Sequence, residues 1–282
     1  MAGITVVTDS TAYLPDGLAA TRALTVIPLT VVLGGREGME GVDITPADVA
    51  NALIGRRASV TTSRPAPAEF EAVYRRLLDG GAAGVVSVHL SAKLSGTYDA
   101  AALAAADFDG RVEVVDSRSA GMGFGFAALA AADAAASGQD LTGVRDAAAA
   151  VADRVTTLFY VDSLEYLRRG GRIGAASALV GTALSVKPIL HVKDGAIVVR
   201  DKVRTASRAL ARMVDLAVEA AGEGTADIAV HHLGSPERAS ELATSLMERL
   251  GTQVGDVFIS EIGAVVAAHV GPGLFSVVVH RR

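Results

Sequence analysis

The sequence predicts an α/β fold built around a largely parallel sheet. Short runs rich in valine and isoleucine alternate with longer segments of helical periodicity, which is the pattern of strands joined by helices. Half of the 282 residues are hydrophobic, but only 4% are aromatic, so small aliphatic side chains must build the core. Such a core suits helices packed on a sheet.

Six short runs are the clearest strands, at residues 4–7, 84–89, 112–115, 157–161, 228–231 and 274–279. Two segments are the clearest helices. In residues 68–78, apolar side chains recur at helical spacing behind a pair of prolines typical of a helix entrance. In residues 236–250, leucines recur in the same way, and Ser235 is placed to cap the first turn.

The chain is long enough for two domains, because single hydrophobic cores stop growing near ~250–300 residues. An alanine-rich helical pattern gives way to a new strand between residues 147 and 157. We therefore predict a boundary near residue 153, with domains at 1–153 and 154–282. No low-complexity linker separates them, so we expect the two domains to pack closely.

Composition excludes several classes of function. The formal net charge of −5 argues against nucleic acid as a partner, and the absence of cysteine excludes thiolate metal sites and cysteine nucleophiles. The six histidines are scattered, so we expect no metal and no cofactor. The N-terminus does not resemble a secretion signal and no run is apolar enough to span a membrane, so we expect a cytoplasmic protein.

The nucleotide-binding motifs do not match. Gly121, Gly123 and Gly125 open a helix, but their spacing departs from the dinucleotide fingerprint, so close helix packing explains them better. The glycines of residues 170–174 lack the following Lys-Ser/Thr pair of a phosphate loop, and no Gly-x-Ser-x-Gly motif surrounds a serine.

Polar turns are the candidate ligand sites. Ser95, Gly96 and Thr97 open a helix after a strand, where hydroxyl groups and free N–H groups offer a seat for an anion. A plain helix cap explains the same residues. Thr62 and Ser63, just before the proline-rich helix entrance, form another hydroxyl cluster that is open to both interpretations.

Other polar positions allow two interpretations as well. His269 precedes a Gly-Pro-Gly turn, where it either donates a hydrogen bond to a ligand or simply closes a helix. Three strands end in Asp-Ser, at Asp9, Asp116 and Asp162. Strand ends of an open α/β sheet gather at one crevice, but aspartate and serine are also favoured helix caps.

Taken together, seven segments resemble the DegV family of bacterial fatty-acid-binding proteins over nearly the whole chain. They are Thr-Asp-Ser-Thr (8–11), Thr-Thr-Ser-Arg-Pro (61–65), Leu-Ser-Ala-Lys-Leu-Ser-Gly-Thr-Tyr (90–98), Val-Asp-Ser (115–117), Leu-Glu-Tyr-Leu-Arg-Arg-Gly-Gly-Arg-Ile-Gly (164–174), Ser-Val-Lys-Pro-Ile-Leu (185–190) and His-Val-Gly-Pro-Gly (269–273). The resemblance implies a two-domain fold with a largely parallel sheet in the first domain and a mixed sheet in the second.

The resemblance also implies a function. A non-catalytic carrier would hold one long-chain fatty acid in an apolar tunnel near the domain junction, with transient membrane contact for lipid exchange. It would present the carboxyl group to a separate ATP-dependent kinase that forms acyl phosphate for phospholipid synthesis. The residues implied to hold the carboxyl group are Thr62, Ser63, Ser95, Gly96, Thr97 and His269.

Further roles follow from the same resemblance. Arg172, together with Arg169, is expected to contact the kinase, whereas composition alone favours a solvated loop for the same residues. Met122 and Phe124 are candidates for the tunnel wall, although core packing explains them equally well. Arg64 stands where the family pattern leads us to expect a neutral polar residue, and it alters the charge near the tunnel mouth.

The main alternative is a serine-dependent acyl hydrolase or acyltransferase. Ser95 and His269 would then form a triad with Asp9 or Asp116, and the protein would form an acyl-serine. A kinase subunit that binds a small polyol is disfavoured by the missing phosphate loop.

Overall fold

The computed structural model describes residues 3–55, 59–179 and 186–282. Ser185, part of one family-like segment, lies outside the described residues. The strands within them are β1 (Ile4–Asp9), β2 (Leu24–Ile27), β3 (Thr30–Leu33), β4 (Arg36–Met39), β5 (Val60–Ser63), β6 (Gly84–His89), β7 (Val112–Asp116), β8 (Val155–Tyr160), β9 (Lys187–Lys193), β10 (Ala196–Val203), β11 (Ala226–His232), β12 (Val254–Glu261) and β13 (Phe275–Arg281). The α-helices are α1 (Leu18–Thr21), α2 (Pro46–Gly55), α3 (Pro67–Asp79), α4 (Thr97–Ala105), α5 (Met122–Ala136), α6 (Leu141–Ala152), α7 (Glu165–Arg169), α8 (Ala206–Ala221), α9 (Pro236–Leu250) and α10 (Ala264–Val270).

The first sheet is parallel throughout, in the strand order β2-β1-β6-β7. Alternate residues of its central strands face opposite helix layers. Val6 and Val86 pack with α5 and α6, whereas Val7 and Val85 pack with α3 and α4. Helices cover both faces, which explains why β6 is buried along its whole length. The predicted parallel sheet is confirmed.

The second sheet is mixed, in the order β10-β9-β8-β13-β11-β12. β11 and β12 are parallel, and the other neighbouring strands are antiparallel. One face packs on α8 and α9 through residues such as Leu158 and Ile228. Phe159 and Leu190, on the other face, belong to the core that includes α10. The mixed sheet implied by the family resemblance is therefore present.

A third sheet, antiparallel and in the order β4-β3-β5, comes from the N-terminal part of the chain but packs against the C-terminal part. Val31 of β3 and Val49 of α2 are fully buried in one core cluster with Val265 of α10. This small sheet thus forms a wall opposite the face of the second sheet that carries Phe159.

Glu40 ties the small sheet to the beginning of α10. Its buried side chain accepts hydrogen bonds from the backbone N–H of Val265 at 2.8 Å, from the Tyr13 hydroxyl at 3.1 Å and from the Ser10 hydroxyl. Burial raises the pKa of this carboxyl group. The donors hold the group in place because an unpartnered carboxyl group would be costly to bury.

The strands and helices that the sequence predicts agree with the structure to within two residues at each end. The prediction for Ser235 is wrong, because its side chain makes no capping hydrogen bond. Its backbone N–H instead donates to Nδ1 of His232 at 3.3 Å, and the helix begins with Pro236, whose missing N–H needs no partner there.

The predicted domain boundary near residue 153 falls in the connection between α6 and β8. The division into 1–153 and 154–282 stays a prediction, because the small sheet belongs to the first segment and packs on α10 of the second. Among the helices of the described ranges, none combines the length and apolarity needed to cross a bilayer.

Candidate functional site

A cavity of about 310 Å³ lies where the three sheets approach one another. Its size is at the lower end of the ~300–1,000 Å³ typical of small-molecule pockets. Aliphatic and aromatic side chains supply much of its lining, including Leu29, Leu94, Phe159, Val192, Val265 and Leu274. The walls thus come from the small sheet, the second sheet, the loop after β6 and α10.

Polar side chains join this apolar lining. Five of the six residues that the family resemblance implies for a carboxyl group line the cavity, namely Thr62, Ser63, Ser95, Gly96 and His269. They come from β5, from the loop that precedes α4 and from the last turn of α10. The fold therefore brings together segments that are distant in sequence, and the roles of these residues toward a ligand stay predictions.

Thr62 and His269 contact each other directly, with 2.8 Å between Oγ1 and Nε2. Burial, with a smaller effect of the nearby Arg172 charge, lowers the pKa of His269 to about 4. The imidazole is therefore neutral near pH 7. Its other nitrogen, Nδ1, is buried and has no hydrogen-bond partner among the described residues.

Gly170 packs against the His269 ring on the side of Nδ1. A Cβ atom at this position would lie only 2.3 Å from Nδ1 of His269, so no larger residue fits without displacing the ring. Gly170 follows α7 directly, and Leu167 of that helix is buried in the core cluster that contains Val270. The backbone after α7 thus restrains the histidine at the end of α10.

The loop that carries Ser95 is anchored at both ends. At its start, the Ser91 hydroxyl donates to the Gly195 carbonyl at 2.8 Å, in the turn between β9 and β10. At its end, Ser95 Oγ lies 2.8 Å from Thr97 Oγ1 and accepts from the Thr97 backbone N–H at 3.3 Å. Ser95 therefore supports the first turn of α4 and also lines the cavity, and its role toward a ligand stays a prediction.

Two guanidinium groups also line the cavity. Arg172 is committed to backbone carbonyls, since Nε donates to Leu94 at 2.9 Å and Nη1 donates to Gly170 at 2.6 Å. Arg64 is exposed and lies across Gly96, with a long contact of 3.5 Å from Nη1 to the Gly96 carbonyl. Arg172 thus joins the Ser95 loop to the segment after α7.

Some predicted site residues lie elsewhere. Met122 and Phe124 are fully buried in core clusters and do not line the cavity, because α5 turns these side chains toward the first sheet and its neighbouring loops. Thr97 is also fully buried and reaches the site only through Ser95. Arg169 is exposed on α7, away from the lining, and its Nε donates to Glu165 at 2.8 Å.

His231 and Tyr13 are among the lining residues that the sequence interpretation missed. Burial lowers the pKa of His231 to about 4. Its Nε2 accepts from the Met122 backbone N–H at 2.9 Å, and Nδ1 lies 3.0 Å from the Ser260 hydroxyl, which itself donates to the Tyr13 carbonyl. The signal in the sequence that could have marked His231 is a histidine inside an otherwise apolar strand.

The geometry required by the hydrolase alternative is not formed in the described part of the chain. Asp9 is fully buried and pairs with His89 Nδ1 at 2.9 Å, while Asp116 accepts from backbone N–H groups of its own turn and the Ser95 loop. Neither carboxylate contacts His269. Across the same described ranges, no group of three or more metal-ligating side chains is arranged to hold an ion.

Comparisons with known proteins agree with this architecture. A family model described as "Uncharacterised protein, DegV family" matches residues 3–282. A DegV domain-containing protein of Streptomyces coelicolor is 51% identical over 279 residues, which cover 99% of each chain. A Thermus thermophilus structure, described as fatty acid binding of a DegV family protein, has a TM-score of 0.94 and 34% identity, covering 99% of this chain and 100% of the other. DegV of Bacillus subtilis, described as a fatty acid binding protein, has a TM-score of 0.90 and 31% identity over 100% of both chains. The chain therefore belongs to the DegV family, as its motifs predicted.

Proposed function

We propose that this protein binds one long-chain fatty acid in the cavity and presents the carboxyl group at its rim to a separate ATP-dependent kinase. The observation that best supports this proposal is a mainly apolar cavity whose lining includes hydrogen-bonded hydroxyl and imidazole side chains. The solved neighbours from Thermus thermophilus and Bacillus subtilis are described as fatty-acid-binding, which supports the same ligand class here.

The alkyl chain would supply the affinity. A chain of ~16 carbons gains on the order of 12 kcal/mol from burial, at ~0.8 kcal/mol per methylene, before the costs of immobilisation are subtracted. Each hydrogen bond to the charged head would add only ~1.5–3 kcal/mol. The head group therefore determines which end of the ligand lies at the rim, because an ionised carboxylate without donors is costly to bury.

The head site would hold the carboxylate with uncharged donors. With neutral His269 donating from Nε2 to Thr62, the Thr62 hydroxyl hydrogen is left for the ligand. Ser95 can act in the same way while Thr97 donates to it. A carboxylate without a tight ion pair keeps its nucleophilicity, so its oxygen can form a bond to the γ-phosphorus of ATP as the bond to the ADP oxygen breaks.

The kinase would dock around α7 and the segment after it. Arg169 is exposed there, and Arg172 connects this segment to the Ser95 loop through the Leu94 carbonyl. A docked partner would thereby lie beside the head group. Transient contact with a membrane belongs to the same proposal, because a poorly soluble acid must enter and leave the cavity, and the acyl phosphate would feed phospholipid synthesis.

Mass spectrometry of lipid extracted from the purified protein tests the ligand. We expect one fatty acid per chain, and reloading of delipidated protein with hexadecanoic acid at a one-to-one ratio. A preparation that carries no lipid and takes up no hexadecanoic acid would show that the proposal is wrong.

Hydroxylamine trapping of acyl phosphate tests the transfer step. The loaded protein should give no hydroxamate with ATP alone and should give it when an extract of the producing organism is added. Ser95→Ala and His269→Ala should reduce the yield more than they reduce lipid retention, whereas Ser240→Ala, on the exposed side of α9, should change neither. Hydroxamate formed with ATP alone would contradict a separate kinase.

A further inference from the structure

Arg64 is a cation at the rim of the cavity that has no carboxylate partner in the described part of the chain. Its guanidinium packs directly on the backbone of Gly96. A Cβ atom added to Gly96 would lie only 2.1 Å from Nη1 of Arg64. The 3.5 Å contact to the Gly96 carbonyl is at the outer limit of a hydrogen bond. Most of the donors of this guanidinium are therefore available to a ligand.

The other groups of the head site carry no available charge. Thr62 and Ser95 are hydroxyl residues, and His269 is neutral because burial lowers its pKa. Arg172 already donates at short distance to two backbone carbonyls. Among the lining residues that the structure describes, Arg64 is thus the cation placed to recognise additional negative charge.

The polar residues of the head site lie at different depths, and this difference distinguishes a carboxylate from a larger phosphoryl head group. Thr62, Ser95 and His269 are half-buried, whereas Arg64 is exposed at the same rim. A carboxylate held by the half-buried donors leaves Arg64 outside it. A phosphoryl group attached to a carboxyl oxygen extends outward and carries a second charge, which a planar guanidinium can bind through two parallel hydrogen bonds.

We propose that Arg64 is a specificity-determining residue that makes this site favour a phosphoryl head group over a carboxylate or a neutral head. This inference rests on the proposed function, since it assumes that the alkyl chain occupies the cavity. It adds that the phosphorylated ligand would be held more tightly than the free acid, which delays its escape into water.

The test uses three ligands with the same sixteen-carbon chain: hexadecanol, hexadecanoic acid and hexadecyl phosphate. Dissociation constants are measured by displacement of a fluorescent fatty acid from the full-length, delipidated protein. Arg64→Gln should weaken binding of hexadecyl phosphate by about tenfold, the lower end of what hydrogen bonds to a charged group contribute, and should leave hexadecanol within about twofold. Arg64→Lys should recover part of the loss, since lysine restores the positive charge but cannot form the two parallel hydrogen bonds of a guanidinium.

Arg249→Gln is the matched control, because Arg249 is an exposed arginine on α9 that pairs with Asp215 and does not line the cavity. It should bind all three ligands as the wild type does. If Arg64→Gln weakens the three ligands equally or not at all, the inference about Arg64 is wrong and the fatty-acid carrier stands. If wild-type protein binds neither the acid nor the phosphate, the proposed function itself fails.

Discussion

Replacing Gly170 with alanine tests whether the backbone after α7 holds His269 in its binding position. Gly170 has φ −73°, which alanine adopts without strain. Its new Cβ would lie 2.3 Å from Nδ1 of His269, whereas ordinary contacts begin at 3.4 Å. The ring must therefore move by about 1 Å, the difference between these distances, because Leu167 anchors α7 in the core.

A shift of that size disrupts the geometry of the 2.8 Å contact between His269 and Thr62. One neutral hydrogen bond contributes about 1 kcal/mol, so we expect fatty-acid binding to weaken by about fivefold. Folding stability should change less, because alanine also lowers the entropy of the unfolded chain, which offsets ~0.4–1 kcal/mol of the loss.

Isothermal titration with hexadecanoic acid and urea unfolding of the ligand-free protein measure the two effects. Gly224→Ala is the control, since Gly224 is exposed and a Cβ there would meet nothing within 4 Å. Wild-type affinity in Gly170→Ala would refute the idea that this glycine positions the histidine. A large loss of stability with unchanged affinity would refute it as well.

Other changes test the site and its surroundings. Thr62→Val should weaken binding of hexadecanoic acid by about tenfold or more relative to Thr61→Val, the exposed neighbour on β5, as one hydrogen bond to the charged head is lost; equal titration curves would exclude Thr62 from the head site. Phe124→Ala should lower the free energy of unfolding by ~3–5 kcal/mol in urea without changing chain-length preference, since Phe124 is fully buried outside the cavity; a changed preference would return it to the ligand wall. Burial lowers the pKa of His231 to about 4, so the unfolded chain binds the extra proton as pH falls from about 6.5 to 4, and folding stability declines in that window. In His231→Asn, the free energy of unfolding measured in urea should fall less steeply as pH decreases, by up to ~1.4 kcal/mol per pH unit. An unchanged pH dependence would show that another group titrates in this window.

Local patterns predicted much of the fold and part of the site. The strands and the two clearest helices follow directly from apolar periodicity, since burial on both faces of a parallel sheet requires continuous runs such as β6. The hydroxyl residues at 62, 63 and 95 were visible as polar turns beside predicted elements. Their association with His269 came from the resemblance to a family, because no local signal joins positions 207 residues apart.

The remaining features depend on tertiary contacts that composition does not encode. Nothing in β3 indicates that Val31 packs on α10 rather than on the first sheet. Met122 and Phe124 begin a helix whose apolar residues surround it on nearly all sides, so the sequence alone does not tell which of them face a ligand. Serine is a favoured residue type for a helix cap, but the Ser235 side chain makes no such bond, and its backbone N–H donates to His232 instead.

The carboxyl group of Glu40 has a consequence for any attempt to divide this chain. It anchors the first turn of α10, although Val265 follows it by 225 positions. A truncation at residue 153 would remove that acceptor from the C-terminal fragment and expose the aliphatic face of α10, whose last turn carries His269. Deleting or transplanting the segment around Glu40 would likewise disrupt the cavity, even with every cavity-lining side chain of the C-terminal fragment left in place.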